Sequence, residues 1–247
     1  MSIAESLSKR ERKGTLRMSN IGKPCDRQLW YEVNSPEKAL KLSPATYLKF
    51  MYGHLVEELL LFLAELAGHR VEGRQDEQEI EGIKGHRDGI IDGTLIDVKS
   101  ASSYSFNKFK EGKLKEDDAF GYSDQLQSYL FSGQDDPLIT DKKRAAFFVA
   151  DKTLGHIHLD VHEKEDKDFK ELFDQKKKMV VGEIPPRGFE PVPMGQSGNL
   201  ALGKNCSYCD YKFECWDKIR TFLYSNRPVD LVHVALEPRV PELKRPE

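Results

Sequence analysis

Residues 85–100 read GHRDGIIDGTLIDVKS, and this stretch decides how the chain is expected to fold. The dipeptide Asp92-Gly93 favours a two-residue type I′ turn, which predicts a short antiparallel strand on either side of it. Counting outward from that turn places Asp88 directly opposite Asp97. Like charges that face each other across a ladder destabilise a sheet, so this register calls for a cation between the two carboxylates.

A lysine and a backbone carbonyl complete the predicted site. Side chains alternate along a strand, so Lys99 lies on the same face as Asp97. Because Mg²⁺ is typically held by one or two carboxylates plus substrate phosphate, we predict that Asp88, Asp97 and the Val98 carbonyl bind Mg²⁺ or Mn²⁺. His86 faces Lys99 in this register and is interpreted as scaffold. A β-bulge in the hairpin would instead put the two aspartates on opposite faces.

The four cysteines indicate a second metal centre. Cys206, Cys209 and Cys215 form a C-x2-C-x5-C motif, whereas Cys25 lies near the N-terminus. The sequence has no signal peptide and no long apolar segment, so we expect a cytoplasmic protein whose clustered cysteines bind metal rather than form disulfides. Four thiolates suit either structural Zn²⁺ or an iron–sulfur cluster, and four buried free cysteines are the remaining interpretation.

Residues 45–67 are predicted to form a long helix that ends at Gly68. Its apolar side chains recur with the spacing of a stripe that packs on the core, at Leu55, Leu59, Phe62, Leu63 and Leu66. His54 lies beside this stripe, and neutral imidazole is a common metal ligand. Glu57 and Glu58 are weaker candidates, for ligands reached through water.

A second helix is predicted over residues 117–131, with apolar residues at Phe120, Leu126, Leu130 and Phe131. Gln125 and Tyr129 are four residues apart and therefore share one face of this helix. Such a pair usually marks a polar helix face.

The remaining segments predict an α/β protein. Strands are expected near residues 70–80, 83–91, 94–99, 145–150 and 156–162, and a charged helix over 163–181. Three histidines alternate along the last strand, His156, His158 and His162, and we interpret them as its solvent face rather than as a metal site.

We expect one domain over residues 1–225 and a C-terminal tail over 226–247. The domain is divided into an N-terminal arm (1–24), a core (about 40–182) and a cysteine region (200–217 with Cys25). A hydrophobic fraction of 38% and a charged fraction of 32% exclude a membrane protein and general disorder. The net charge of −3 does not favour nucleic-acid binding by itself, although basic runs occur near residues 108–115, 142–144 and 176–178.

These motifs, in this order, resemble the RecB-like branch of the PD-(D/E)xK nuclease superfamily. Members of that branch with iron–sulfur clusters include the AddB nuclease domain, the CRISPR-adaptation exonucleases and phage relatives. His54 matches the histidine of an early helix, Asp88 the motif II aspartate, and Asp97-Val98-Lys99 the motif III (D/E)-x-K. Gln125 and Tyr129 match the Q-x-x-x-Y signature. The resemblance covers about residues 20–217, with Arg87 where the family has proline and with a tight motif II to III hairpin.

The resemblance implies a restriction-endonuclease-like core, a central mixed sheet flanked by helices, with the N- and C-terminal segments joined by a four-cysteine cluster. Cys25, Cys206, Cys209 and Cys215 would hold [4Fe–4S], with Zn²⁺ as the alternative. His54 would join Asp88, Asp97 and Val98 as a metal ligand. Gln125 would order Lys99 or the attacking water, and Tyr129 would contact DNA phosphate or stack on a base.

The implied activity is that of a metal-dependent DNA exonuclease acting on single strands or DNA ends in replication, recombination or degradation. Closed rings occur among related exonucleases, so a homo-oligomer is consistent with the resemblance, and no membrane partner is expected. Two alternatives stay open: a DNA-end-binding module of the same fold, and an endonuclease selective for sequence or structure.

Overall fold

The structure is a computed structural model and describes residues 14–225 and 227–244. Parts of the predicted arm (1–24) and tail (226–247) therefore lie outside the described residues. The described chain divides into two compact units. The first contains residues 15–22 and 41–178, and the second contains residues 14, 23–40, 179–225 and 227–244. The prediction of one domain over residues 1–225 stays a prediction.

Helices and strands are numbered in chain order within the described residues. The α-helices are α1 (Met18–Ile21), α2 (Asp26–Asn34), α3 (Pro44–Leu66), α4 (Ser103–Lys110), α5 (Tyr122–Ser132), α6 (Phe169–Val181), α7 (Lys204–Ser207) and α8 (Lys212–Cys215). The strands are β1 (Val71–Glu72), β2 (Glu77–Ile80), β3 (Ile83–His86), β4 (Gly89–Ile91), β5 (Thr94–Ala101), β6 (Arg144–Asp151), β7 (Ile157–Glu163), β8 (Val192–Pro193), β9 (Leu200–Ala201), β10 (Arg220–Leu223), β11 (Pro228–His233) and β12 (Glu242–Leu243).

The first unit is built on a five-stranded sheet with the order β1-β4-β5-β6-β7. Strands β5 and β6 are parallel and the other neighbours are antiparallel, so the sheet is mixed. Helix α3 packs on one face, and α1, α4, α5 and α6 contribute to the core on the other. The predicted α/β architecture, a central mixed sheet flanked by helices, is confirmed.

The turn at Asp92-Gly93 forms as the sequence predicts. Both residues have positive φ, 50° and 82°, as a type I′ turn requires. The register follows from it, because Gly89 pairs with Ile96 and Ile91 with Thr94. A Cβ on Gly93 would lie 1.9 Å from the hydroxyl oxygen of Thr140, so only glycine fits this position without rearrangement.

The hairpin is shorter than predicted, because β3 leaves it. His86, predicted to face Lys99, instead pairs with Glu77 in a separate two-stranded sheet of β2 and β3. Asp88 lies in the link between the two ladders, one residue before β4. A second tight turn with positive φ at Glu81 and Gly82 joins β2 to β3 and explains this change of partner.

The predicted buried stripe of the long helix is wrong. The side chains of Leu55, Leu59, Phe62, Leu63 and Leu66 are all exposed, whereas α3 buries a different set, Val56, Leu60, Leu61 and Ala64. The buried set packs against Ile96 and Val98 of β5. Helix α3 is apolar on nearly every side, so periodicity does not reveal which side meets the sheet.

The prediction for β7 is also reversed. His158 and His162 are half-buried and lie against the rings of Phe106 and Phe147, although His156 at the start of the strand is exposed. The apolar side chains of the strand, Ile157, Leu159 and Val161, are exposed. Helix α4 packs on the histidine side of β7, whereas α3, on the other face, contacts β1, β5 and β6.

The second predicted helix begins later than expected. Residues 114–117 form a short 3₁₀ turn, and α5 starts at Tyr122. The carboxylate of Asp118 accepts hydrogen bonds from the backbone N–H groups of Gly121, Tyr122 and Ser123, which satisfies donors that the first helical turn leaves unpaired.

The second unit contains an antiparallel sheet with the order β12-β10-β11-β9-β8. Its core includes Ala201, Phe222 and Leu231, so residues of the predicted tail form strands of this sheet. None of the helices in the described parts of the chain is long and apolar enough to cross a membrane.

Candidate active site and cysteine pocket

Asp88 is anchored to the strand that carries the other predicted catalytic residues. Its Oδ2 accepts a hydrogen bond from the backbone N–H of Val98 at 2.7 Å. Since Val98 follows Asp97 directly in β5, this contact holds the Asp88 carboxylate next to the Asp97 side chain, although the two residues are not paired in the ladder. The side-chain contact thus replaces the backbone pairing that the sequence predicted.

Asp97 and Lys99 form a buried ion pair. Lys99 Nζ lies 2.5 Å from Asp97 Oδ2, and Asp97 is only 5% exposed. Burial lowers the pKa of Lys99, but the charges of Asp97 and Asp88 outweigh it and hold that pKa above its ordinary value. Lys99 is therefore a cation at neutral pH.

Asp88 carries the most informative electrostatic feature of the site. Burial raises the pKa of Asp88 to about 8, and the charge of Asp97 adds to the rise, while Lys99 and the Val98 N–H oppose it. One lysine therefore does not compensate two adjacent carboxylates. A divalent cation between them would supply the missing charge, so this donor set fits Mg²⁺ or Mn²⁺.

Two aromatic residues that sequence reasoning missed enclose Lys99. Its Nζ lies 4.6 Å from the centroid of the Tyr122 ring and 5.9 Å from that of Phe147. A cation over an aromatic face is stabilised by the ring quadrupole. Tyr122 opens α5 and Phe147 lies on β6, opposite Asp97 in the parallel ladder. Only the parallel pairing of β5 with β6 reveals this neighbour.

Glu57, rather than His54, is the residue of α3 that approaches the carboxylates. Burial raises the pKa of Glu57, and the charge of Glu57 in turn raises that of Asp88. His54 has an 80% exposed side chain, and its Nδ1 lies 3.7 Å from Glu57 Oε2. Among the described contacts, none joins His54 to Asp88 or Asp97. Glu58, the other weak candidate, pairs with Arg74.

Tyr129 lies beside the carboxylates but is buried. It is 3% exposed, and burial together with the charges of Asp97 and Asp88 holds the pKa of its hydroxyl above the ordinary value. Its ring is therefore not accessible for stacking on a base. Gln125 is half-buried one turn earlier on α5, and no side-chain hydrogen bond to it occurs within the described residues.

Arg87 fixes the backbone in front of Asp88. It is 3% exposed and donates to the Gly73 carbonyl at 3.1 Å and to Asp76 at 2.7 Å. It also forms an ion pair with Asp136. Removing one partner from such a buried network is costly, so Arg87 holds the link in which Asp88 lies.

The four cysteines line one pocket within the second unit. Burial, together with the charges of Cys25 and Cys215, raises the pKa of Cys206 to about 11. Burial also raises the pKa of Cys209 to about 12, with Cys25 and Cys206 adding to it. The thiols are thus close enough to repel one another as thiolates. Soft cations favour such thiolate sets, so the donors fit Zn²⁺ or an iron–sulfur cluster.

Neither predicted metal centre is fully assembled. Across residues 14–225 and 227–244, no three His, Cys, Asp or Glu side chains are already arranged to hold a metal ion. In the first unit Asp97 is paired with Lys99, and in the second the raised pKa values of Cys206 and Cys209 oppose the thiolate form that a metal would bind.

No protein-family model and no curated protein matches the chain. Among solved structures, the alkaline exonuclease LHK-Exo of Laribacter hongkongensis gives a TM-score of 0.46 at 16% identity, covering 71% of this chain and 91% of that one. LHK-Exo in complex with dAMP gives 0.42 at 18% identity, with coverages of 68% and 85%. A phage-related exonuclease of Haemophilus somnus 129PT gives 0.34 at 19% identity, with coverages of 52% and 65%. At these identities and TM-scores the structural similarity does not establish an activity, so any assignment of function rests on the chain's own residues.

Proposed function

We propose that the chain is a divalent-metal-dependent deoxyribonuclease of the PD-(D/E)xK type that degrades DNA from ends or single strands. The observation that carries this proposal is the carboxylate pair of Asp88 and Asp97, buried beside Lys99, with the pKa of Asp88 raised to about 8. Two carboxylates with too little positive charge around them are what a Mg²⁺ site that completes its coordination with substrate phosphate requires.

Asp88, Asp97 and the Val98 carbonyl would hold Mg²⁺ or Mn²⁺, and His54 stays a predicted further ligand. A bound divalent ion lowers the pKa of a water molecule and neutralises phosphate charge. Lys99, protonated and fixed by Asp97, would position the attacking water and stabilise the negative charge that develops on the phosphate. Glu57 would tune the affinity of the site through its charge.

Tyr129 and Gln125 support this chemistry from α5. We assign Tyr129 the role of a positioning residue, since its buried hydroxyl lies beside the carboxylates and cannot stack on a base. Gln125, half-buried one turn away, would order Lys99 or water once substrate is bound. From the resemblance of the sequence motifs to RecB-like nucleases, we also propose a [4Fe–4S] cluster held by Cys25, Cys206, Cys209 and Cys215.

End-labelled single-stranded and duplex DNA, incubated with the protein and Mg²⁺ or Mn²⁺, tests the activity. We expect mononucleotides or short oligonucleotides to be released from ends by the wild-type chain and not by Asp97→Ala. Binding without cleavage in either metal would make the protein a DNA-end-binding module. Discrete fragments from a closed circular plasmid would make it an endonuclease.

A further inference from the structure

A second stripe of apolar residues runs along α3, on the side away from the sheet. Its members are spaced alternately four and three residues apart, and each is between 45% and 68% exposed: Leu48, Tyr52, Leu55, Leu59, Phe62 and Leu66. This is the a/d spacing of a coiled-coil seam. The helix therefore carries two apolar faces, and only one of them has a partner among the described residues.

The N-terminal half of α3 lacks support from the part of the chain that the structure describes. This helix is described over its full length, and its buried residues begin only at Val56. In the preceding three turns the apolar side chains of Leu48, Phe50 and Tyr52 are exposed, and a Cβ on Gly53 would meet nothing within 4 Å. A helix that is apolar all round is normally buried, so these turns indicate a missing neighbour.

Beside the C-terminal half of α3 lies an apolar trough of about 470 Å³. Leu63 and Ala64 of α3 form one wall, and Ile157, Leu159 and Val161 of the edge strand β7 form the other. Ile96, Ala146 and Phe148 lie between the walls. Since α3 covers β5 and reaches only to β6, this trough occupies the place where a second helix would complete the layer over β6 and β7.

We infer that the missing helix is α3 of a second copy of this chain, packed antiparallel in a two-fold dimer. A dyad at residue 57 places Leu48 against the partner's Leu66, Tyr52 against the partner's Phe62, and Leu55 against the partner's Leu59. Every layer then joins an a position to a d position, as antiparallel two-stranded coils require. The stripe is thus complementary to itself, which is the property of an isologous interface.

The geometry and the exposed area favour a second copy over other occupants. In the antiparallel arrangement the unsupported N-terminal half of each helix lies against the C-terminal half of the other, which rests on its own sheet. The stripe and the exposed face of β7 together offer nine large apolar side chains. A half-exposed aromatic side chain offers on the order of 100 Å² and an aliphatic one somewhat less, so together they approach the ~800 Å² per partner of a stable interface.

Sedimentation equilibrium of the full chain, without DNA, tests the dimer. We expect twice the mass of the chain at micromolar concentration. Leu59→Glu, at the layer next to the dyad, should raise the dissociation constant at least 100-fold and give a folded monomer, because the side chain is exposed within one copy. Tyr104→Glu, which changes an exposed apolar side chain of α4 on the opposite face of the sheet, should leave the dimer intact.

The orientation is tested by a charge pair. Leu55→Lys and Leu59→Glu should each give a monomer, while the double variant should recover the dimer, because only an antiparallel pairing sets opposite charges against each other in both layers. A monomeric wild-type chain would overturn the inference, as would dimers in which Leu59→Glu has no effect. Failure of the double variant to recover would overturn the antiparallel register. Since none of these readouts involves cleavage, the proposed function stands or falls separately.

Discussion

Asp88 Oδ2 accepts a hydrogen bond from the backbone N–H of Val98 at 2.7 Å, so the carboxylate of the link before β4 is tied to the backbone of β5. This hydrogen bond fixes Asp88 beside Asp97 without pairing the two residues in the ladder. It also explains why the two carboxylates stay together although the paired part of the hairpin begins only at Gly89. The position of Asp88 thus depends on a side-chain contact and not on regular sheet pairing.

Lys99→Ala should abolish cleavage. It should also lower the stability of the metal-free protein, because two buried carboxylates lose the cation between them. DNA digestion and thermal unfolding at pH 8 measure the two effects, with Lys110→Ala on the exposed end of α4 as the matched control. Cleavage at the wild-type rate by Lys99→Ala would contradict the assignment of the site.

The raised pKa of Asp88 predicts an unusual pH dependence of stability. The folded, metal-free protein keeps this proton up to about pH 8, whereas the unfolded chain loses it near the ordinary value of 3.8. The folded state therefore binds more protons between these limits, and stability falls as pH rises through them.

Asp88→Asn removes that loss. Its melting temperature should exceed that of the wild type by an amount that grows from pH 5 to pH 8.5, and Mg²⁺ should raise only the wild-type value. Asp92→Asn is the control: hydrogen bonds from His69 and the Arg70 backbone lower the pKa of Asp92, so its contribution is lost only below about pH 3.8 and the difference from wild type should stay constant between pH 5 and pH 8.5. A constant difference between Asp88→Asn and wild type at all pH values would contradict the raised pKa.

Glu57 and His54 should differ in their effect on the metal requirement. Since the charge of Glu57 acts on Asp88, Glu57→Gln should raise the Mg²⁺ concentration for half-maximal cleavage by about 10-fold, within the range found for groups that support metal ligands. His54→Ala should have a smaller effect, because that side chain is exposed. The reverse order would make His54 a direct ligand.

Alanine substitutions at two glycines in equivalent turns should distinguish the energetic cost of backbone strain from that of a steric clash. Gly82 and Gly93 both follow a residue of positive φ, but a Cβ on Gly82 meets nothing within 4 Å. Gly82→Ala should therefore cost only the left-handed conformation, about 1–2 kcal/mol. Gly93→Ala should cost about 1–3 kcal/mol more from overpacking against Thr140. Urea unfolding measures both, and Thr140→Ala should restore part of the loss; equal losses for the two glycines would contradict the clash.

Cys25→Ser should remove any bound cluster together with its colour and lower the melting temperature, because a bound metal contributes to folding free energy. Absorbance and metal analysis of anaerobically purified protein measure this, with Ser207→Ala in the same region as the control. Retained colour and melting temperature in Cys25→Ser would show that Cys25 is not a ligand. A colourless wild-type protein with stoichiometric zinc would replace the iron–sulfur assignment.

Local features were predictable because their cause is local. Positive φ at Asp92 and Gly93 follows from the residue types, and the register of β4 with β5 follows from the turn. The contact of Lys99 with Phe147 was not predictable in this way, since it requires a parallel pairing between strands more than forty residues apart. For the same reason the sequence favoured His54 over Glu57, because it does not show how the two are oriented around α3.

The two errors of burial have one origin. In both α3 and β7 the periodicity identified an apolar face correctly, but that face is not the one that meets the core of this unit. The pattern in a sequence records every surface that avoids water, including surfaces covered by another molecule. Leu59 and Leu159 are therefore positions where the wrong prediction is informative about assembly.

Arg87 has a consequence for how this chain tolerates acid. Where a proline precedes the motif aspartate, the covalent ring restricts the backbone at every pH. Here Asp136 restrains the same backbone through its ion pair with Arg87. Although burial opposes it, hydrogen bonds from Arg87 and from the Leu138 backbone N–H hold the pKa of Asp136 below its ordinary value. Protonation of Asp136 in acid would weaken its hold on Arg87 and, with it, the restraint on the backbone in front of Asp88. This restraint can therefore be titrated, unlike one that a covalent ring provides.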